Sequence, residues 1–213
     1  MRNAYAAMGA VVGWGALGLQ LALIVTVDGD PSLAWRTINL LSSFTVLSNI
    51  MAATALTVAA VGAGGSRLFG FFMLPTVQTG IAVYITVTGI AYLIVLRTIS
   101  GPEGWAFVAE AILYYVMPLF YVGFWLLFVA KGTLRIGDIV GFLGFPVLYV
   151  AYSLVRGPII HWYPYSFLDV GDAGIGHVAI NVAAMSAAFA LVGLAYIAID
   201  RVLGGPPRRM AVS

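Results

Sequence analysis

Long apolar runs separated by short polar breaks fill almost the whole of this chain of 213 residues. A helix needs about 20 apolar residues to cross the hydrocarbon core of a bilayer. The pattern predicts six membrane-spanning helices, at residues 4–27, 37–61, 71–96, 106–130, 139–157 and 174–200. The first run is too long for the core of a signal peptide, so we expect it to remain as a helix. The predicted fold is an all-α bundle of six transmembrane helices that forms one domain over residues 1–213.

Composition supports a membrane protein and excludes several other classes. Charged residues make up 8% of the chain and hydrophobic residues 62%, whereas roughly a quarter of a soluble domain is charged. The chain has no cysteine, which excludes disulfides and a thiolate nucleophile. The basic C-terminal end indicates contact with anionic lipid rather than with nucleic acid. We therefore expect membrane lipids as partners and no nucleic acid, and the sequence identifies no protein partner.

The distribution of basic residues predicts the orientation, because loops rich in Lys and Arg stay on the cytoplasmic side. Seven basic residues fall on one side of the predicted topology: Arg2, Arg67, Lys131, Arg135, Arg201, Arg208 and Arg209. Three fall on the other side: Arg36, Arg97 and Arg156. Both termini are therefore predicted to lie in the cytoplasm.

Five of the six runs carry polar residues spaced by three or four positions, which places them along one face of each helix. The stripes are Ser42, Thr45 and Asn49; Tyr84, Thr88 and Tyr92; Glu110, Tyr114 and Tyr121; Tyr149, Tyr152 and Arg156; and His177 and Asn181. With about 1.5 Å of rise per residue, eight of these residues fall in the outward half of the membrane: Thr45, Thr88, Glu110, Tyr114, Tyr152, Arg156, His177 and Asn181. We predict that helices two to six bring them together with Asn49 in one polar pocket that opens outward.

Two charged residues stand out inside the predicted spans. An Arg or Asp at the centre of a membrane helix costs roughly 2.5–3.5 kcal/mol, and less toward the ends. One interpretation of Glu110 and Arg156 is an ion pair that fixes the fold. The alternative is a functional role, in which Arg156 holds the carboxylate of a substrate and Glu110 handles protons.

Thr45 is a candidate nucleophile, and His177 is the candidate base because it is the one histidine inside a predicted span. A tyrosine such as Tyr114 has a pKa near 10 and seldom serves as a base at neutral pH. The plain structural interpretation is that Thr45 bonds a backbone carbonyl or a neighbouring helix, and that His177 is structural or interfacial. Both interpretations stay open at the level of sequence.

The longest outward loop, residues 157–173, reads GPIIHWYPYSFLDVGDA. Its aromatic residues suit the membrane interface, and the alternative is a lid over the predicted pocket. The two histidines and the scattered carboxylates show no metal-ligand spacing. The chain also carries no glycine-rich phosphate loop, dinucleotide fingerprint or lipase-type elbow, so we expect neither a metal nor a cofactor.

Three segments carry a family resemblance: SSFTVLSN at 42–49, AILYYVMPLFYVGFWLLF at 111–128 and YVAYSLVRGPIIHWYPYSFLD at 149–169. Together they resemble the bacterial six-helix relatives of the androgen-induced and androgen-dependent membrane proteins. The most specific part is the R-G pair followed by W-Y-P-Y-x-F-L-D. The resemblance implies a six-helix fold in a bacterial cytoplasmic membrane.

Animal members of that family are threonine hydrolases of fatty-acid esters, so the resemblance implies a lipid-ester or fatty-acid ligand. It places the catalytic threonine at Thr45. The family's histidine does not carry over, because the corresponding part of the fourth span has Tyr114 and Tyr115 before Pro118. Either His177 has taken over as the base, or the hydrolase chemistry is absent here.

The leading functional expectation is hydrolysis of a lipid ester within the membrane. Thr45 attacks the ester carbonyl, His177 or another group accepts the proton, and Asn49 or a tyrosine hydroxyl stabilises the oxyanion. Tyr114 in place of histidine favours a second hypothesis, a lipid or small-molecule carrier that breaks no bond. A third hypothesis is an accessory subunit of a larger membrane complex, because apolar surfaces that face lipid or a partner look alike in sequence.

Overall fold

The computed structural model describes residues 1–26, 31–62, 67–94 and 102–204, and the elements within these ranges are all helical. The helices are α1 (Arg2–Val25), α2 (Leu33–Leu41), α3 (Phe44–Val61), α4 (Arg67–Met73), α5 (Pro75–Ile94), α6 (Gly104–Ala111), α7 (Met117–Phe128), α8 (Asp138–Ile160) and α9 (Val170–Gly204). A π-helical turn over Ile112–Val116 joins α6 to α7, and a short 3₁₀ turn over Ser166–Leu168 precedes α9.

Six helical segments of the described chain are long and apolar enough to cross a membrane, which confirms the predicted all-α fold with six such helices. They are α1, α3, α5, the continuous segment from α6 through α7, α8 and α9. The last residues of the first and third predicted spans lie outside the described residues, as do Arg97 and the C-terminal arginines.

The second predicted span is divided into two helices rather than one. α2 ends at Leu41, and α3 begins at Phe44 after Ser43 takes an extended conformation with ψ of 132°. The Ser42 hydroxyl bonds the Ile38 carbonyl, an interaction that competes with the regular helical ladder. Because of this break, Ser42 does not share a helix face with Thr45 and Asn49, and Thr45 stands at the start of α3.

The packing divides the protein into a four-helix group and a hairpin. α1, α3, α5 and α7 pack side by side, and the α8–α9 hairpin joins them mainly through α9 against α5. Phe44 secures the junction, because its ring packs within 5.1 to 6.3 Å of the rings of Tyr84, Phe145, Tyr149 and Phe189. Aromatic pairs at such distances stabilise a core, and this one holds the start of α3 between the group and the hairpin.

The π-helical turn positions Tyr114. Pro118 has no backbone N–H, so it cannot satisfy the Tyr114 carbonyl as the fourth residue along the chain. Gly89 of α5 lies so close that a Cβ there would stand 3.0 Å from the Tyr114 carbonyl oxygen. The glycine and the proline together let α5 approach the fourth span at this turn.

Candidate functional site

The Thr45 hydroxyl lies at the start of α3 and is buried, with 3% of its residue exposed. Its Oγ1 lies 3.3 Å from the hydroxyl of Tyr165, and the Thr45 N–H donates to the same hydroxyl at 3.4 Å. The Ser43 hydroxyl is 3.4 Å from it as well. The first N–H groups of a helix have no partner within the helix, so Tyr165 caps α3 from the segment between α8 and α9.

Asn49 and Ser48 bind the backbone of Thr45 rather than its hydroxyl. The Asn49 side-chain amide donates to the Thr45 carbonyl at 2.9 Å and to the Leu113 carbonyl of the π-helical turn at 3.3 Å. The Ser48 hydroxyl donates to the Thr45 carbonyl at 3.0 Å and lies 3.4 Å from the Thr88 hydroxyl. These bonds tie α3 to α5 and to the fourth span. In the part of the chain that the structure describes, the buried Oδ1 of Asn49 has no hydrogen-bond partner.

Tyr114 joins this cluster to Tyr92 and Glu110. The Tyr114 hydroxyl approaches the side chain of Thr45, and its ring stacks on that of Tyr92 with centroids 4.0 Å apart. The Tyr92 hydroxyl donates to Glu110 Oε2 at 3.0 Å. The carboxylate is therefore bonded directly to one of the stacked tyrosines, Tyr92, and is separated from Tyr114 by that side chain.

Tyr152 and Arg156 gather at the break between α2 and α3 instead. The Tyr149 hydroxyl donates to the Ser42 carbonyl at 2.9 Å, and the Tyr152 hydroxyl lies 2.9 Å from the Ser42 hydroxyl. Arg156 Nη2 donates to Asn39 Oδ1 at 2.6 Å. These contacts attach α8 to Ser42 at the break and to Asn39 near the end of α2.

One interpretation of the sequence was an ion pair between Glu110 and Arg156, and the structure does not contain this pair. Glu110 accepts from Tyr92, whereas the Arg156 guanidinium bonds Asn39 and faces the Trp162 ring at 5.3 Å. Among the described residues, Arg156 Nη1 is buried without a hydrogen-bond partner. The two charges are therefore stabilised separately, at different places in the bundle.

His177 lies on an exposed face of α9. Its Nδ1 is 2.9 Å from the Ala173 carbonyl oxygen of its own helix, and within the described ranges no hydrogen bond joins it to Thr45. One turn further on, the Asn181 amide donates to the Phe167 carbonyl at 2.9 Å. Asn181 thus anchors the segment that carries Tyr165, while His177 stays outside the Thr45 cluster.

Of the nine residues predicted for the site, the structure brings four into one group: the buried Thr45, Asn49 and Thr88, and the half-buried Tyr114. Glu110 adjoins that group through Tyr92, and the remaining four lie elsewhere. Ser48 and Tyr165 belong to the group but were absent from the predicted site. The aromatic run in the 157–173 loop drew attention to the segment that contains Tyr165. The sequence did not show that Tyr165 contacts Thr45.

Tyr114 also lines a groove on the outer surface of the bundle. This groove of about 180 Å³ lies between α5 and the fourth span, where Tyr114 meets Gly89, Ile90, Leu93 and Tyr115. A second cleft of about 340 Å³ lies between α7 and α9 and shares Thr86, Ile90 and Val122 with the groove. Tyr114 therefore has one side toward the membrane-facing surface and its hydroxyl toward Thr45.

A metal centre is not formed by the residues that the structure describes, since they contain no group of three or more His, Asp or Glu side chains arranged to hold an ion. Comparison of the chain with protein-family models, with curated proteins and with solved structures found no match. Fold and site together define only a class: a polytopic membrane protein with six apolar helices in its described residues and a buried polar cluster at the start of α3, the second of the six.

Proposed function

We propose that this protein binds a neutral long-chain amphiphile from the membrane without breaking a bond in it. The polar end of the ligand lies at Tyr114 and the Thr45 hydroxyl, in the outward half of a bacterial cytoplasmic membrane with both chain termini inside. A monoacylglycerol, whose polar end carries hydroxyls and one ester, has the required chemistry.

The observation that carries this proposal is the position of Tyr114. Its ring lines a groove on the lipid-facing surface, and its hydroxyl approaches Thr45 in the interior. The side chains that meet around Thr45 are hydroxyls and an amide, from Ser48, Asn49 and Tyr165. Such groups hydrogen bond a neutral hydroxyl or ester, whereas a free carboxylate at the groove would meet the nearby Glu110.

The surroundings of Thr45 favour binding over hydrolysis. A threonine hydroxyl attacks an ester only when a base takes its proton. The hydrogen-bonded neighbour of Thr45 Oγ1 is the hydroxyl of Tyr165, and within the described ranges no histidine or carboxylate is hydrogen bonded to Oγ1. His177 is bonded to Ala173, and Glu110 is bonded to Tyr92.

Hydrolysis of a lipid ester remains the second candidate, and the location of Thr45 in the first turn of α3 favours it. The start of a helix stabilises negative charge through its free N–H groups and its dipole. In this mechanism Oγ1 bonds the ester carbon, the alcohol leaves with the transferred proton, and water then cleaves the acyl-threonine to the fatty acid. His177 serves as the base only after leaving the Ala173 carbonyl and approaching Thr45.

Photolabelling tests the binding proposal. The purified protein in lipid nanodiscs is exposed to a monoacylglycerol that carries a diazirine next to its head group, and labelled peptides are mapped by mass spectrometry. We expect labelling of the π-helical turn around Tyr114, reduced several-fold by Thr45→Val and by Tyr114→Phe. The control is Thr54→Val, which removes a hydroxyl from the same helix about 13 Å further along. Equal labelling of all four proteins would contradict the proposal.

A further inference from the structure

The cleft between α7 and α9 has its floor on α5. Both helices pack against α5, and the space left between them measures about 340 Å³, within the size range of small-ligand sites. Ile90 forms part of the floor, Val122 and Leu126 line the α7 wall, and Val192 and Ile199 line the α9 wall. Trp125 and Tyr196 also line the cleft, and their rings meet edge to face with centroids 4.7 Å apart.

The polar groups that reach this cleft are already paired. The Thr86 and Tyr196 hydroxyls lie 2.9 Å apart, and the Trp125 indole N–H donates inward to the Thr79 hydroxyl at 2.8 Å. The cleft therefore offers an occupant only apolar contact. An acyl chain fits such a surface, because it has no polar group that would need a partner there.

The cleft adjoins the groove beside Tyr114. The two share Thr86, Ile90 and Val122 along their linings. From Tyr114 to Leu126 the fourth span advances roughly 18 Å, a distance that suits a long acyl chain rather than a short one. The adjoining linings thus offer apolar contacts along the bundle to a chain whose polar end lies at Tyr114.

The side chains on the walls favour a flexible chain over a transmembrane helix of a partner. Close helix contact in a membrane uses small residues such as Gly, Ala and Ser on the touching faces. Here Leu126, Val192 and Ile199 project from the two walls, and Ala195 is the small residue among them. Branched side chains of this kind keep a helix backbone at a distance but leave room for a single acyl chain.

We infer that the cleft between α7 and α9 is the subsite for the acyl chain of the bound amphiphile, and that its length selects long-chain ligands. This inference rests on the proposed function, since it takes the polar end of the same ligand to lie at Tyr114. Ala195 is the residue at which the cleft can be filled without touching the Thr45 cluster.

A second monoacylglycerol, with its diazirine at the end of the chain, tests the inference. We expect labelling of residues 192–199 of α9 or of Leu126, reduced about tenfold in Ala195→Phe, because the added ring occupies the space that the acyl chain would fill. The matched control is Ala198→Phe, at an exposed α9 position outside the cleft lining, which keeps wild-type labelling. With a short-chain analogue that carries its diazirine at the head group, Ala195→Phe should give the same labelling as wild type.

The outcomes separate the inference from the function on which it rests. Head-group labelling at Tyr114 with chain-end labelling scattered over other lipid-facing helices overturns the cleft as the chain subsite and leaves the proposed function standing. Absence of head-group labelling above that of α1 overturns the proposed function. A stoichiometric partner protein lost specifically in Ala195→Phe overturns the inference, because the cleft is then a protein interface.

Discussion

The hydroxyl of Tyr165 lies 3.3 Å from Thr45 Oγ1 and accepts the Thr45 N–H at 3.4 Å. The two residues are 120 positions apart, so this contact fixes the segment between α8 and α9 on the start of α3. Asn181 holds the same segment from the other side through the Phe167 carbonyl. The loop is therefore part of the cluster around Thr45, and its Tyr165 lies within hydrogen-bond distance of the candidate nucleophile.

Replacing Tyr165 by Phe should destabilise the protein. The change leaves a buried N–H of Thr45 without an acceptor, which costs roughly 1–3 kcal/mol, and a loss of about 1 kcal/mol lowers Tm by roughly 2–4 °C in a chain of this size. Thermal unfolding in detergent, followed by tryptophan fluorescence, measures the effect. The control is Tyr163→Phe, because the ring of Tyr163 packs over Gly157 and its hydroxyl is not part of the cluster. Equal Tm values for the two variants would show that Tyr165 is not an important cap.

Gly89→Ala should distort the π-helical turn. The added methyl group would stand 3.0 Å from the Tyr114 carbonyl oxygen, which belongs to the backbone and cannot easily move aside. We expect a loss of about 1–3 kcal/mol of stability from overpacking, together with weaker head-group labelling at Tyr114. Gly15→Ala is the matched control, since its Cβ meets open space on α1. An unchanged melting temperature for Gly89→Ala would argue against this close approach.

Asp200 should stabilise the connection between α7 and α8 through one carboxylate oxygen. Its Oδ2 accepts the Leu134 N–H at 2.9 Å, and Asp200 is fully buried. Asp200→Ala leaves that N–H unpaired, so we expect a loss of roughly 1–3 kcal/mol. Asp200→Asn keeps an acceptor oxygen and should lose clearly less. The comparison of the two melting temperatures is the test, and identical losses would indicate that the charge rather than the hydrogen bond matters.

The orientation can be measured because the chain contains no cysteine. Ser166 and Thr133 are exposed positions between helices, at opposite ends of α8. With both termini in the cytoplasm, Ser166→Cys should react with a membrane-impermeant maleimide in intact cells, and Thr133→Cys only after permeabilisation. The reverse pattern would place the Thr45 end of the bundle in the cytoplasm.

The hydropathy pattern was sufficient to predict an all-α fold with six membrane-length helices, because each span is a long apolar run. It did not predict the break at Ser42 and Ser43, since apolar residues continue through Leu40 and Leu41 on one side and Phe44 on the other. What ends the helix there is local hydrogen bonding by a serine hydroxyl together with contacts from α8.

Helical spacing also predicted part of the site. Thr45 and Asn49 are one turn apart and both belong to the cluster, in which Tyr114 approaches Thr45 and the Thr88 hydroxyl meets that of Ser48. The spacing of His177 and Asn181 carried no information about which way α9 faces. His177 is in fact exposed and contacts the Ala173 carbonyl of its own helix. Tyr165 was beyond sequence reasoning because its contact with Thr45 depends on how a long loop folds back over the bundle.

The most direct test of the account is to incubate the protein with an unlabelled long-chain monoacylglycerol and to measure bound ester and released fatty acid together by mass spectrometry. Wild type and Thr45→Val are compared in the same nanodiscs. We predict that wild type retains the intact ester, that Thr45→Val retains several-fold less, and that neither releases fatty acid above the protein-free background. Release of fatty acid by wild type that Thr45→Val abolishes would contradict binding without chemistry and establish Thr45 as a nucleophile.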